Sequence, residues 1–423
     1  MNRALRLKLL NKKVLTVTFL SLILFAYLLR TAWLSDDAMI SIRAIMMLFD
    51  GHGPVIEKGV RVQGFTHPLW FLLMLMSSAI TREFIYTPIF LGLMVTMTTF
   101  YLISTKLKKI SSIVLLLVLL ISSRAILDFS TSGLENSLSN LLLCLLFFVF
   151  FNIIKVKKSR RSLIICILSC LIILTRLDYL LLVAPLMVYS LRRSPIKEII
   201  KTALIGFSPA ILWHLFSIIY FGTLFPNTAY AKLNVDIAAK TKVIQGLKYF
   251  YYSAKIDTGS LLIILIALAI LIYKIVEKRN TKLATLLASL SLYNLYVVYI
   301  GGDFMAGRFL TATIFLSILI IIFQIDSIKN FDSQELQVYL LTGIIFLASI
   351  TTSWGYILQQ EDPILFNVDS LLKSGIANER EYYANYGQSL FTSQTELEEP
   401  QTARFNAFSE PLHLQATSPN NDG

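Results

Sequence analysis

The chain has 423 residues, 56% of them hydrophobic and 15% charged, with a mean hydropathy of +0.68. A soluble domain carries about a quarter charged residues, so this composition excludes one, and apolar runs of near-spanning length mark a polytopic membrane protein. The formal net charge of +12 does not point to nucleic acid, because the basic residues cluster in short hinges between apolar runs, the pattern that sets orientation in a membrane.

In chain order, 1–13 is basic and leads into an apolar run at 14–34 with no small-residue cleavage site, which reads as an uncleaved first span. Further runs of spanning length fall at 85–105, 110–129, 134–154, 162–175, 178–191, 202–220, 258–276, 282–300, 307–325 and 337–354. One run, 68–80, is shorter, and as a helix it rises only about 20 Å against a hydrocarbon core of roughly 30 Å. If it spanned, the basic clusters at 106–109 and 155–161 would fall outside. If it lies at or dips into the outer interface, the N-terminus, 106–109, 155–161, 192–201, 274–282 and Lys329 all fall inside. The expectation is therefore an all-α integral membrane bundle of about eleven transmembrane helices, with interfacial helices in its outer loops. Its N-terminus is cytoplasmic, and a short outer segment at 355–387 follows the membrane domain of 1–354. The polar stretch 388–423 has too few large apolar residues to build a core and is expected to stay unfolded.

This topology collects the polar loops 35–67, 130–135, 176–178, 220–257 and 301–308 on the outer face, and most of the acidic residues with them. Carboxylates gathered at helix ends on one face of a membrane protein suggest a site. Ser35-Asp36-Asp37 opens the first loop; Ser35 suits an N-cap, and the following apolar residues fit a surface helix closed by Gly51 and Gly53. The acidic pair either complements that helix's dipole, or supplies a base for a sugar hydroxyl while the second carboxylate or a divalent cation holds the geometry. Glu135, in TSGLEN, either caps the next span or joins the site. Arg176 and Asp178 flank a short turn and are placed to pair with each other. Asn227 and Lys232 lie in the loop YFGTLFPNTAYAK, where a lysine either snorkels or binds. Asp303 and Arg308 lie in GGDFMAGR, whose glycines allow close approach of backbone to a ligand. Cys144, Cys166 and Cys170 sit inside apolar runs as small apolar side chains. His52, His67, His214 and His413 show no ligand spacing, so no zinc site is readable.

No phosphate-gripping glycine loop is present. Nucleotide sugars are cytoplasmic and the candidate residues are outside, so the donor needs its own membrane anchor and leaving group. A polyprenyl phosphate has both, and acids with cations at one interface provide a base for the acceptor and contacts for the phosphate.

These residues resemble a known family. SDDAMISIRAIMMLFDGHGPVIEKGVRVQGFTHPLW is similar to the first outer loop of the type C (GT-C) glycosyltransferases related to terminal β-(1→2)-arabinofuranosyltransferases. TSGLENSL, LTRLDYLLL, YFGTLFPNTAYAK, GGDFMAGRFL and GIANEREYY follow in the family's order. The resemblance implies an enzyme that moves a sugar from a polyprenyl-phosphate donor to a cell-envelope glycan acceptor on the outer face of the inner membrane. It implies that Asp36 and Asp37 hold the catalytic base and that Glu135 is the acid of the second outer loop. By charge, Arg176, Lys232 and Arg308 are the expected phosphate contacts, with Asp178, Asn227 and Asp303 beside them. The rival readings are a transporter or flippase of a lipid-linked sugar and a shortened family member without activity. Transporters tend to carry charges near mid-membrane on broken helices, and the one-sided acids favour catalysis.

Overall fold

The computed structural model describes residues 3–227, 230, 237–327, 343, 374–380 and 383, and among these it is all-helical, with isolated bridges but no strand. Fifteen α-helices are described: α1 (Arg3–Arg30), α2 (Asp36–Phe49), α3 (Pro68–Thr81), α4 (Tyr86–Lys106), α5 (Ile110–Ile121), α6 (Arg124–Thr131), α7 (Asn136–Phe150), α8 (Lys158–Thr175), α9 (Leu180–Leu191), α10 (Ile196–Gly206), α11 (Ser208–Phe221), α12 (Ala239–Ile256), α13 (Thr258–Lys278), α14 (Thr281–Ile300) and α15 (Thr311–Ser327). Five are long and apolar enough to cross a membrane, or seven if each of two bent pairs is one span. The protein is a membrane protein on that ground. Helices α3 and α7 and the stretch Leu177–Leu191 are apolar but shorter.

Helix α15 forms the axis of the core. Nearly all of its residues are buried, including Ile314, Ile318 and Ile322, and it packs on α13, α7 and α5. A helix that is apolar all round belongs in such a position. Around it α9 packs on α14, α8 on α7 and α4 on α7.

The ends of the helices sort into two layers. Lys13 Nζ near the start of α1 donates to Leu107 O (2.7 Å) just past the end of α4. Asp326 at the end of α15 accepts the backbone N–H groups of Lys108 and Lys109, each at 2.9 Å. At the opposite end, Trp33 Nε1 donates to Asp128 O (2.7 Å), Trp70 Nε1 to Gly133 O (2.8 Å), and Asn136 Nδ2 to Thr311 Oγ1 (2.8 Å). Helices α1 and α4 thus run in opposite directions. The segment between them, with α2 and α3, leaves and returns at one end of the bundle.

Two expected spans are broken. The run 110–129 divides at Ser122-Ser123 into α5 and α6, bent by 77°, because Ser123 turns its hydroxyl back to accept from Ile126 N (3.1 Å) and caps a new helix. The run at 202–220 divides at Phe207 into α10 and α11, bent by 56°, where Pro209 in the first turn of α11 has no N–H to continue the ladder. The loop expected at 220–257 holds a helix along nearly half its length, α12. Gly246 lets α12 lie directly against the Val298 backbone of α14, where a Cβ would collide. The span expected at 337–354 lies outside the described residues apart from 343, while Asp326 and Ala377 on either side of it sit at opposite ends of the bundle. The tail 388–423 also lies outside them.

Candidate active site

Helix α2 begins as expected. Ser35 Oγ accepts from Ala38 N (3.2 Å) and caps the helix, and Gly51 and Gly53 follow its end with φ of +80° and +88°. The cap holds both carboxylates in the first turn, where free N–H groups favour anions. Asp36 Oδ1 accepts from Asp37 N (2.6 Å). The turn carrying Glu135 lies directly on this helix start: Ser35 N donates to Ser132 O (3.0 Å). A Cβ at Gly133, whose φ is +77°, would stand 2.5 Å from Leu34 Cδ1 and 2.8 Å from Ala38 Cβ. Glycine is what the close approach needs.

Glu135 is the most enclosed acid of the site, 1% exposed. It does not cap α7, since no side-chain cap bond forms there. It meets Arg176 Nη1 at 3.2 Å, His67 Nδ1 at 3.3 Å and Arg308 Nη2 at 3.6 Å. Burial alone would raise its pKa, but Arg308, His67 and Arg176 together hold it down to about 2. Burial lowers the pKa of His67 more than Glu135 raises it. His67 Nδ1 lies 3.3 Å from Glu135 Oε2 and 3.4 Å from Thr66 Oγ1, and its Nε2 lies 2.9 Å from Ser41 Oγ.

Arg176 grips Asp178 with two parallel bonds, Nε to Oδ1 at 3.0 Å and Nη2 to Oδ2 at 2.8 Å, and lies 4.2 Å from the Phe309 ring centroid. Such bidentate pairs are the strong ones. Arg308 lies at the centre of the site: Nη1 meets Asp37 at 2.6 Å and Asp303 at 3.8 Å, while Nη2 reaches Glu135. Tyr249 pins the turn that carries it, donating to Met305 O (3.2 Å) and accepting from Phe309 N (3.1 Å).

The short segment 374–380 completes this end. Ala377 N donates to Phe304 O (2.7 Å), and Ala306 N to Ala377 O (2.9 Å). Arg380 bonds Thr31 O (3.1 Å) and Asp128 Oδ1 (3.2 Å), and Asp128 also pairs with Arg124 (3.2 Å). Tyr383 stacks on Trp33, and its hydroxyl hydrogen-bonds Asp36.

Asp36, Asp37, Glu135, Arg176, Asp178, Asp303 and Arg308 therefore meet in one network. Asn227 does not join it: its backbone N–H donates to Gln63 O (3.2 Å) at the edge of the first loop. Lys232 lies outside the described residues. The sequence reading missed His67 and Glu379 as members of the site. His67 precedes Pro68 at the start of α3, and only the loop's folding back brings it to Glu135. Glu379 was visible only within GIANEREYY.

Among the described residues no three His, Cys, Asp or Glu side chains converge as a metal would require. The Arg308 guanidinium stands where the carboxylates meet. The residues fit an ion-pair network, and no step is routed through a metal.

No family model matches the chain. The terminal beta-(1->2)-arabinofuranosyltransferase of Mycobacterium tuberculosis is 24% identical to it over 397 residues, covering 83% of this chain and 62% of that protein. The chain thus spans under two thirds of the length of this curated relative, a glycosyltransferase by its name.

Proposed function

We propose that the protein is a glycosyltransferase that moves a sugar from a polyprenyl-phosphate donor to a cell-envelope glycan acceptor, at a site facing the outer side of the inner membrane. Eleven spans, with the N-terminus cytoplasmic and α2 and α3 at the outer interface, complete this reading. The observation that carries it is an asymmetry within the acidic pair. Asp37 is held by Arg308, whereas Asp36 has no ion-pair partner among the described residues. Burial, and then the charge of Asp37, raise the pKa of Asp36 above the ordinary carboxylate value, which makes it a better proton acceptor than an ordinary carboxylate.

Asp36 takes the proton from the acceptor hydroxyl as its oxygen bonds to the anomeric carbon. The bond from that carbon to the phosphate oxygen breaks, and the phosphate leaves with the electron pair. Asp37 fixes Arg308, and Arg308 fixes Glu135 and the start of the Asp303 turn. Arg176 and Arg308 are already engaged by carboxylates, so a donor phosphate meets them only by sharing or exchanging those contacts.

Asp36→Asn keeps the shape and removes the proton acceptor. Transfer from a defined polyprenyl-phosphate sugar should fall ~10²–10⁴-fold with the protein still inserted. Asp37→Asn should cost less. Wild-type rates in both variants would end the reading.

A further inference from the structure

Six carboxyl groups crowd this end: Asp36, Asp37, Glu135, Asp178, Asp303 and Glu379. The guanidinium groups that meet them are those of Arg176 and Arg308. Arg124 and Arg380 each pair with Asp128. Asp37, Glu135, Asp178 and Asp303 each face a guanidinium, which leaves Asp36 and Glu379. Among the described residues neither has an ion-pair partner, and neighbouring like charges, one buried and one half-buried, do not readily both stay ionised.

Glu379 is held where this matters. Two residues before it, Ala377 is bonded to Phe304 and Ala306; one residue after it, Arg380 is bonded to Thr31 and Asp128. The side chain is thereby set between the Asp303–Arg308 turn and the first turn of α2. It is 7% exposed, and its Oε2 is buried with no hydrogen-bond partner among the described residues. The charged groups facing it are Asp36 and Asp37 from α2 and Asp303 and Arg308 from the turn. Tyr383, from its own segment, reaches Asp36.

We propose that Asp36 and Glu379 share a single proton whose resting holder is Glu379, so that Asp36 stays ionised and ready to act as the base. The inference rests on the functional reading above for the role of Asp36, and it makes Glu379 a positioning residue. Burial, then the charges of Asp36 and Asp37, push the Glu379 acid up to about 9, against the pull of Arg308. Two carboxyls so coupled titrate as a pair, a division of labour known wherever neighbouring acids are driven apart by their surroundings.

The test needs no sugar. Infrared spectra of the full-length protein in an ester-free detergent, in light and heavy water, read the carbonyl band of a protonated carboxyl across pH. The expected result is a band present at pH 7 that vanishes with a midpoint near 9 and is missing in Glu379→Gln. In Asp36→Asn the band should remain but titrate lower by about one unit or more, because one like charge is gone. A wild-type protein without the band at pH 7 overturns the proposal. So does a midpoint that Asp36→Asn leaves in place, which would mean burial alone protonates Glu379. If Glu379→Gln does not fold, the wild-type and Asp36→Asn spectra decide between these outcomes. Normal sugar transfer by Asp36→Asn alongside the expected spectra would sink the functional reading and leave the shared proton standing.

Discussion

The two ends of the bundle handle charge in opposite ways. At the end where α1 starts and α4 and α15 finish, single charged groups meet backbone dipoles: Lys13 and Lys282 donate to carbonyls at 2.7 and 2.9 Å, and Asp326 accepts backbone N–H groups. The basic hinge residues Lys155, Lys157, Lys158 and Arg160 are exposed there. At the other end Arg124, Arg176 and Arg308 are buried and each faces carboxylates. Exposed cations orient a chain in a membrane at little cost. Buried ions lose several kcal/mol of hydration each, so they persist only where partners satisfy them. In the proposed reading, charge at one end therefore sets orientation, and at the other it marks the site.

The largest effect expected from breaking that contrast is on turnover, with Asp36→Asn as described. Next is stability. Glu135→Gln leaves Arg176 and Arg308 facing one carboxylate fewer in a buried setting, and removal of one partner from a buried pair costs about 3–5 kcal/mol. Unfolding in detergent should show that loss. Lys282→Met at the opposite end removes one part-buried hydrogen bond and should cost about 1 kcal/mol. Equal costs for the two variants would remove the contrast.

Acid should act on the site end first. The pKa of Glu135 in the folded protein, about 2, lies below its ordinary 4.5. Its contribution to stability is therefore full above pH 4.5 and is lost as the pH falls towards 2. Wild-type protein should lose stability across that window, and Glu135→Gln should show a flatter acid limb. Parallel limbs for the two proteins would mean that other carboxylates carry the acid sensitivity.

Much of this was legible because polar residues that interrupt apolar runs are conspicuous. Ser35 caps α2, and Asp36, Asp37, Glu135, Arg176, Asp178, Asp303 and Arg308 gather at one end of the bundle. Partners were harder to read. That Glu135 faces His67 rather than capping α7 depends on the loop 51–67 folding back over the bundle, and a lone histidine before a proline carries no spacing signal. Glu379 follows the last described span by some fifty residues, and nothing periodic ties it to α2. The bend between α5 and α6 was hidden because two serines read as tolerated polar residues in a span, whereas a capping hydroxyl ends one helix and starts another. Asn227 shows the converse, a polar loop residue whose backbone bonds Gln63 at the edge of the first loop, apart from the ion-pair network.

The smallest expected effect sharpens the contrast by direction. Lys108 is exposed, and the hydrogen bond to Asp326 comes from its backbone N–H, which a substitution keeps. Lys108→Cys should leave stability within about 0.5 kcal/mol of wild type. Cys144, Cys166 and Cys170 are buried, so an impermeant thiol reagent reports on position 108 alone. In the proposed orientation the end shared by Lys13, Leu107 and Asp326 is cytoplasmic, because the basic hinges gather there. Intact cells should leave position 108 unlabelled, and permeabilised cells should label it. A cysteine placed at Lys58, exposed in the loop between α2 and α3, should give the reverse and react in intact cells. Labelling of position 108 from outside would turn the bundle over, put the carboxylate network on the side where soluble nucleotide sugars are available, and remove the reason for a lipid-linked donor.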